Sequence, residues 1–169
     1  MDDDAFGFRR ITVERPLRVR WEITDHTIAG VEADPKVVKL DEGSRTTLME
    51  SLNSLVPTTE TEASAAAKLV RLAMGDAGLK GKPLESAVLD ALAVRDPDAD
   101  PITDAKGNVE ADPDLRDNET VPLPGERVTF EADVDARLAT PNYRSAVKDY
   151  TAAEVLPYAS DAWVDHDKT

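Results

Sequence analysis

Apolar and polar residues alternate from Arg9 to Thr24. Ile11, Val13, Leu17, Val19, Trp21 and Ile23 fall on one side of this pattern, and a period of two marks a half-buried β-strand. Pro16 interrupts the run. A proline cannot donate to a strand ladder, so it marks a bend, a bulge or an edge. The pattern therefore predicts two short strands, 9–14 and 17–24, with His26 at the end of the second.

From Asp41 to Val94 the period lengthens to that of helices. Leu48, Leu52 and Leu55 define a first helix, with Asp41 or Ser44 as its cap and Pro57 as its stop. A second spans about 60–74, where an alanine-rich run carries Leu69, Val70 and Ala73 and Gly75 or Gly78 closes the end. A third opens with Pro83 in its first turn, presents Leu84, Val88, Ala91 and Leu92 on one face, and ends at Asp96-Pro97. Residues 96–126 are acidic, proline-containing and poor in large apolar side chains. They predict extended loop around a small hairpin at 102–109, with Gly107 in a left-handed conformation. A last helix opens at Pro141, with Tyr143, Val147, Tyr150 and Ala153 or Glu154 inward and Pro157 near its end; Trp163 and Val164 form an apolar anchor beyond it.

These elements describe an α+β domain. Three to four central helices are flanked by short N-terminal strands and a small hairpin. A chain of 169 residues is one domain's length. We read it as a single unit with a strand segment at 1–24, a helical part at 41–95, an acidic loop and hairpin region at 96–140, and a C-terminal helix and tail at 141–169.

Charge limits the functions open to this chain. The net charge is -14, and phosphate binding is driven by lysine and arginine, so the surface as a whole is not a nucleic-acid platform. The distribution is uneven. Residues 8–20 carry Arg9, Arg10, Arg15, Arg18 and Arg20 against Glu14, whereas residues 96–135 carry thirteen acids against Lys106, Arg116 and Arg127. Arg9, Arg10, Arg18 and Arg20 are accordingly candidate contacts to a DNA backbone, positioning rather than reading it. The competing expectation is that they pair with nearby carboxylates. There is no cysteine, which excludes disulfides and thiolate metal sites. No apolar run is long enough to span a bilayer, and the acidic Met1-Asp2-Asp3-Asp4 start is unlike a signal peptide. A cytoplasmic protein with no membrane partner is expected.

Catalytic patterns are absent. Asp96, Asp98 and Asp100 begin an EF-hand-like spacing, but Pro101 and Gly107 stand where glycine and glutamate are required. A hydrated acidic loop is expected there. Gly75–Pro83 approximates a phosphate loop, yet it is one residue too long and places Pro83 at the hydroxyl position; a turn between helices is expected. Neither a nucleophile elbow nor a dinucleotide glycine pattern occurs. His26 and His166 lack partners at metal-ligand spacing, so both are expected at the surface. We expect no catalytic residue, no metal site and no cofactor-binding residue.

Four blocks carry a resemblance. Phe6-Gly7-Phe8-Arg9-Arg10-Ile11-Thr12-Val13-Glu14-Arg15-Pro16-Leu17 resembles a segment that follows the catalytic domain of large bacterial N6-adenine DNA methyltransferases, the modification subunits of type I restriction-modification systems. The second block is Asp104-x-Lys106-Gly107-Asn108 with Asp112-Pro113-Asp114-Leu115-Arg116-Asp117-x-Glu119-x-Val121-Pro122-Leu123. Glu154-Val155-Leu156-Pro157-Tyr158 is the third, and Asp161-Ala162-Trp163-Val164-Asp165 the fourth. They resemble the region C-terminal to that catalytic domain, in the same order.

The resemblance implies a non-catalytic C-terminal accessory domain. It would support the catalytic domain and dock the specificity subunit or the DNA backbone, with a restriction subunit completing the assembly. The parent would be a site-specific adenine DNA methyltransferase using S-adenosylmethionine. This chain departs from the family pattern in three ways. It lacks the Asn-Pro-Pro-aromatic motif that holds a flipped adenine, and also the glycine-rich cofactor loop, so methyl transfer by this piece is not expected. Gly125–Ala152 reads as an insertion. The family continues past Lys168-Thr169, so the chain reads as cut at both ends. The alternative, resting on the acidic residues 96–135, is an independent acidic protein-interaction module or nucleic-acid mimic.

Overall fold

A computed structural model of the chain describes residues 8–104, 106–122 and 141–168. Phe6-Gly7 of the first block, Leu123, and the second part of the acidic region at 123–140 lie outside the described residues, as does the side chain of Tyr143. The architecture is α+β: helices accompany two three-stranded antiparallel sheets. The chain divides into two compact units. One is continuous, Arg18–Ile102; the other joins Met1–Leu17 to Thr103–Thr169. The division falls inside the run of alternating residues, just past Pro16.

The continuous unit is built around β2 (Val19–Ile23), the central strand between β3 (Thr58–Glu60) and β4 (Ala93–Arg95). Trp21 pairs with Glu60 on one side and Ala93 on the other. Val19, Trp21 and Ile23 are buried, as alternation requires. Against β2 pack α1 (Asp25–Ala33), α4 (Ala63–Asp76) and α5 (Lys82–Leu92). A short α2 (Pro35–Val38) and α3 (Glu42–Asn53) complete the unit. Val31, Val37, Leu48, Leu52, Val70, Val88 and Leu92 are all buried, and each such side chain contributes about 1.5–3 kcal/mol of transfer free energy.

Local signals set these boundaries. The Asp41 side chain accepts from the Ser44 amide at 2.9 Å and so caps α3. Helix α4 ends in a Schellman motif: Leu79 N–H donates to Met74 O at 2.8 Å and Gly78 N–H to Gly75 O at 3.0 Å. Gly78 has φ +68° there, a conformation that disfavours any residue with a Cβ. Gly75–Pro83 thus spans the end of α4, the turn at 77–81 and the start of α5, with Pro83 in the first turn of α5.

Two expectations are corrected in this unit. The strand ends at Ile23, and His26 lies in the first turn of α1 rather than at a strand end. Thr24 caps α1 through a reciprocal box with Thr27, and only Thr27, Ile28 and Val31 of α1 are buried. So short a stripe is too weak to announce a helix by period. The third predicted helix stops at Leu92, not at Asp96-Pro97, because residues 93–95 supply the second edge that β2 requires.

In the discontinuous unit, β1 (Phe8–Glu14) is central, between β5 (Asp117–Pro122) and β6 (Trp163–Asp165). Ile11 and Val13 join Val121, Val147 and Val155 in a core, with Tyr150, Ala162 and Val164 packed against it. The expected extended loop is corrected at 117–122, which is a strand. Its apolar signal is confined to Val121, and its place in the sheet comes from its ladder with β1. Thr103 and Val109 bridge across the expected hairpin, and Gly107 has φ +85°.

The last helix, α6 (Pro141–Tyr150), runs into a π turn at Thr151–Val155. Leu156 N–H donates to Thr151 O at 2.9 Å, the i to i+5 bond of that turn. The wider turn carries Val155 inward and leaves Ala153 and Glu154 exposed, which corrects the expectation for those two positions.

Candidate functional site

The basic stretch does not form one site. Arg9 and Arg10 lie on β1 in one unit, Arg18 and Arg20 at the start of the other. Arg10 is exposed, in register with Thr120 of β5. Arg9 is half-buried and makes an interaction of its own. Arg18 Nη1 donates to Ala99 O at 2.6 Å. Arg20 donates through Nε to Glu22 Oε1 at 2.7 Å and through Nη1 to Asp96 Oδ2 at 3.0 Å. These bonds, Glu22 first and Asp96 next, hold the guanidinium above its ordinary value. Arg15, outside the candidate set, donates to Asp161 Oδ1 at 3.2 Å.

A charged cluster that alternation would have left in solvent lies on β1. Glu14 is 1% exposed. Its Oε1 accepts from Arg116 Nε at 2.8 Å and from Lys168 Nζ at 2.9 Å. A buried carboxylate needs such cations, because removing one partner of a buried pair leaves an uncompensated charge. Glu14 Oε2 has no hydrogen-bond partner among the described residues. Lys168 Nζ also reaches Asp165 Oδ2 at 2.7 Å. Asp165, ahead of Glu14, raises the Lys168 ammonium, and Lys168 in turn lowers the Asp165 carboxyl. The sequence holds one retrospective signal: Glu14 is the lone acid in a basic strand, and Arg116 and Lys168 lie in or beside the later blocks.

Many acids of this acidic chain organise backbone. Asp104 accepts from the Lys106 and Asn108 amides at 2.7 and 2.9 Å and from Asn108 Nδ2 at 2.9 Å. These bonds, those of Asn108 foremost, depress its carboxyl below the usual range. Asp34, Asp96, Asp112 and Asp165 each accept from the amide two residues on, the Asx geometry of turns and caps. Asp98 and Asp100 are exposed, in keeping with a hydrated loop. No group of three metal-ligating side chains occurs among the described residues. His26 and His166 are both exposed. No described helix is long and apolar enough to cross a membrane.

Comparison with protein-family models, with curated proteins and with solved structures finds no match to this chain.

Proposed function

We propose that this chain is a non-catalytic accessory domain of a type I adenine-specific DNA methyltransferase subunit. Its work is to support the catalytic domain and to dock the specificity subunit or the DNA backbone, within a cytoplasmic complex completed by a restriction subunit. S-adenosylmethionine belongs to the parent's catalytic domain in this reading. The observation that carries it is the convergence of the four sequence blocks in one unit. The first supplies β1, the second β5 with Arg116, the third Val155 of the core, and the fourth β6. Blocks that are remote in sequence but share a sheet form one structural module, which suits a resemblance of that module as a whole.

The reading narrows the DNA-contact candidates. Arg20 is engaged by two carboxylates and Arg18 by a carbonyl, which favours structural roles for them. Among the described residues, Arg10, exposed on β1, is the candidate that keeps an open approach to phosphate.

The test adds S-adenosylmethionine and an adenine-containing duplex to the isolated chain. Neither methyl transfer nor calorimetric cofactor binding is expected. The chain should co-purify with a catalytic domain and specificity subunit of the type I class. Methylation by the chain alone would overturn the proposal.

A further inference from the structure

We infer that the 3-10 turn His166–Lys168 is a releasable strap over β1, latched by the Lys168 ammonium on Glu14. This inference does not depend on the function proposed above.

Glu14 divides its contacts between two parts of the chain. Its Oε1 takes two cations from different parts of the chain: Arg116 Nε at 2.8 Å, just before β5, and Lys168 Nζ at 2.9 Å, from the turn after β6. If the turn lifts, Glu14 retains Arg116. The usual obstacle to opening such a contact, a buried charge left alone, is therefore removed in advance.

The second oxygen of Glu14 adds to this. Oε2 is buried without a hydrogen bond from any described residue in the closed arrangement, and burying a polar atom unpaired is costly. Lifting the Lys168 side chain admits water to that carboxylate. The closed form thus contains one term that favours opening. Opposing it are the Lys168–Glu14 contact and the Thr12 hydroxyl, which donates to Lys168 O at 3.0 Å.

The turn also carries its own brace. Asp165 accepts from the Asp167 amide at 3.0 Å and from Lys168 Nζ at 2.7 Å. The turn therefore stays tethered to β6 through Asp165 when its contact with Glu14 breaks, and the opening is confined to the turn. The Lys168 side chain is 49% exposed, so a competing anion or an added acidic side chain can reach the latch.

Hydrogen–deuterium exchange of the full chain, read by mass spectrometry, tests this. In Lys168→Met the amides of 166–168 should exchange at least tenfold faster, while the β1–β5 and β1–β6 ladders keep their protection. Thr12→Val, which leaves every charge in place, should act in the same direction with a smaller effect. Arg116→Met should instead weaken protection along β1–β5. Unchanged exchange at 166–168 in both Lys168→Met and Thr12→Val would overturn the strap. So would a loss of β1–β5 or β1–β6 protection in step with 166–168 in either of them, or failure of Lys168→Met to fold, since each makes Lys168 a support of the sheet rather than a latch.

Discussion

Arg20 Nη1 donates to Asp96 Oδ2 at 3.0 Å, tying the central strand of the continuous unit to the residue that follows its edge strand β4. The Arg20 hydrogen bond is the foremost cause that lowers the Asp96 carboxyl below its ordinary value, followed by the Asp98 amide. A carboxylate whose folded value is depressed stabilises the fold above its unfolded value, and that stability is lost as pH falls through the folded value. The window therefore opens below about pH 4, the ordinary range of aspartate. Acid titration followed by Trp21 fluorescence should show stability falling in this window. Asp96→Asn keeps the turn acceptor but lacks the charge, so its stability should vary less steeply there. An identical slope in the variant would remove Asp96 as the cause.

Each unit contains one tryptophan: Trp21 is 8% exposed in the continuous unit, and Trp163 lies on β6 of the other. Trp163→Phe and Trp21→Phe therefore give separate reporters. In the Trp163→Phe background, Leu52→Ala should cost about 2–5 kcal/mol in denaturant unfolding, the range for deleting a buried leucine side chain. In the Trp21→Phe background the same substitution should leave the unfolding midpoint of the second reporter unchanged if the units unfold independently.

The ends of the continuous unit meet. Asp96 N–H donates to Arg18 O at 3.1 Å, and Arg18 forms an isolated antiparallel bridge with Pro101. Residues 18–102 expressed alone should therefore fold, with helical circular dichroism and a cooperative thermal transition. Arg18→Ala removes the contact from its guanidinium to Ala99 O and should lower that transition by a few degrees. A fragment with no cooperative transition would assign the fold's integrity to the remainder of the chain.

In the parent methyltransferase assembly of the proposed function, Arg10→Ala should weaken DNA binding and reduce the slope of log affinity against log salt by about 1. Arg20→Ala should leave that slope unchanged and instead lower the stability of its own unit, because its partners are Glu22 and Asp96. Equal slopes for wild type and Arg10→Ala would remove Arg10 from the candidate contacts.

The α+β class and the helices Glu42–Asn53, Ala63–Asp76 and Lys82–Leu92 were legible because each combines a strong apolar period with capping chemistry, as Asp41, Gly78 and Pro83 illustrate. Helix α1 was not, since its buried stripe is Thr27, Ile28 and Val31 alone. Strand β5 was hidden by its exposed residues Asp117, Asn118 and Thr120; pairing with β1, rather than its own pattern, makes it a strand. Ile11 and Val13 fall on the apolar side of the alternation that predicts this strand. They are buried, because β5 and β6 flank β1 on both sides and α6 covers that face. Among the candidate arginines, charge was legible but occupancy was not: Asp96 reaches Arg20 from far along the chain, and no local pattern records that.

The clasp at Arg18 also bears on the order of folding. Thr12 and Asn118 face each other across the β1–β5 ladder although 106 positions separate them, and closing so long a loop of unstructured chain is entropically costly and slow. Most of the intervening chain is a unit whose two ends already touch. Once residues 18–102 have collapsed, the effective tether between Thr12 and Asn118 shrinks to residues 13–17 and 103–117. The inserted unit would then act as a template for closure, and a mutation that loosens it should slow formation of a sheet to which it contributes no strand.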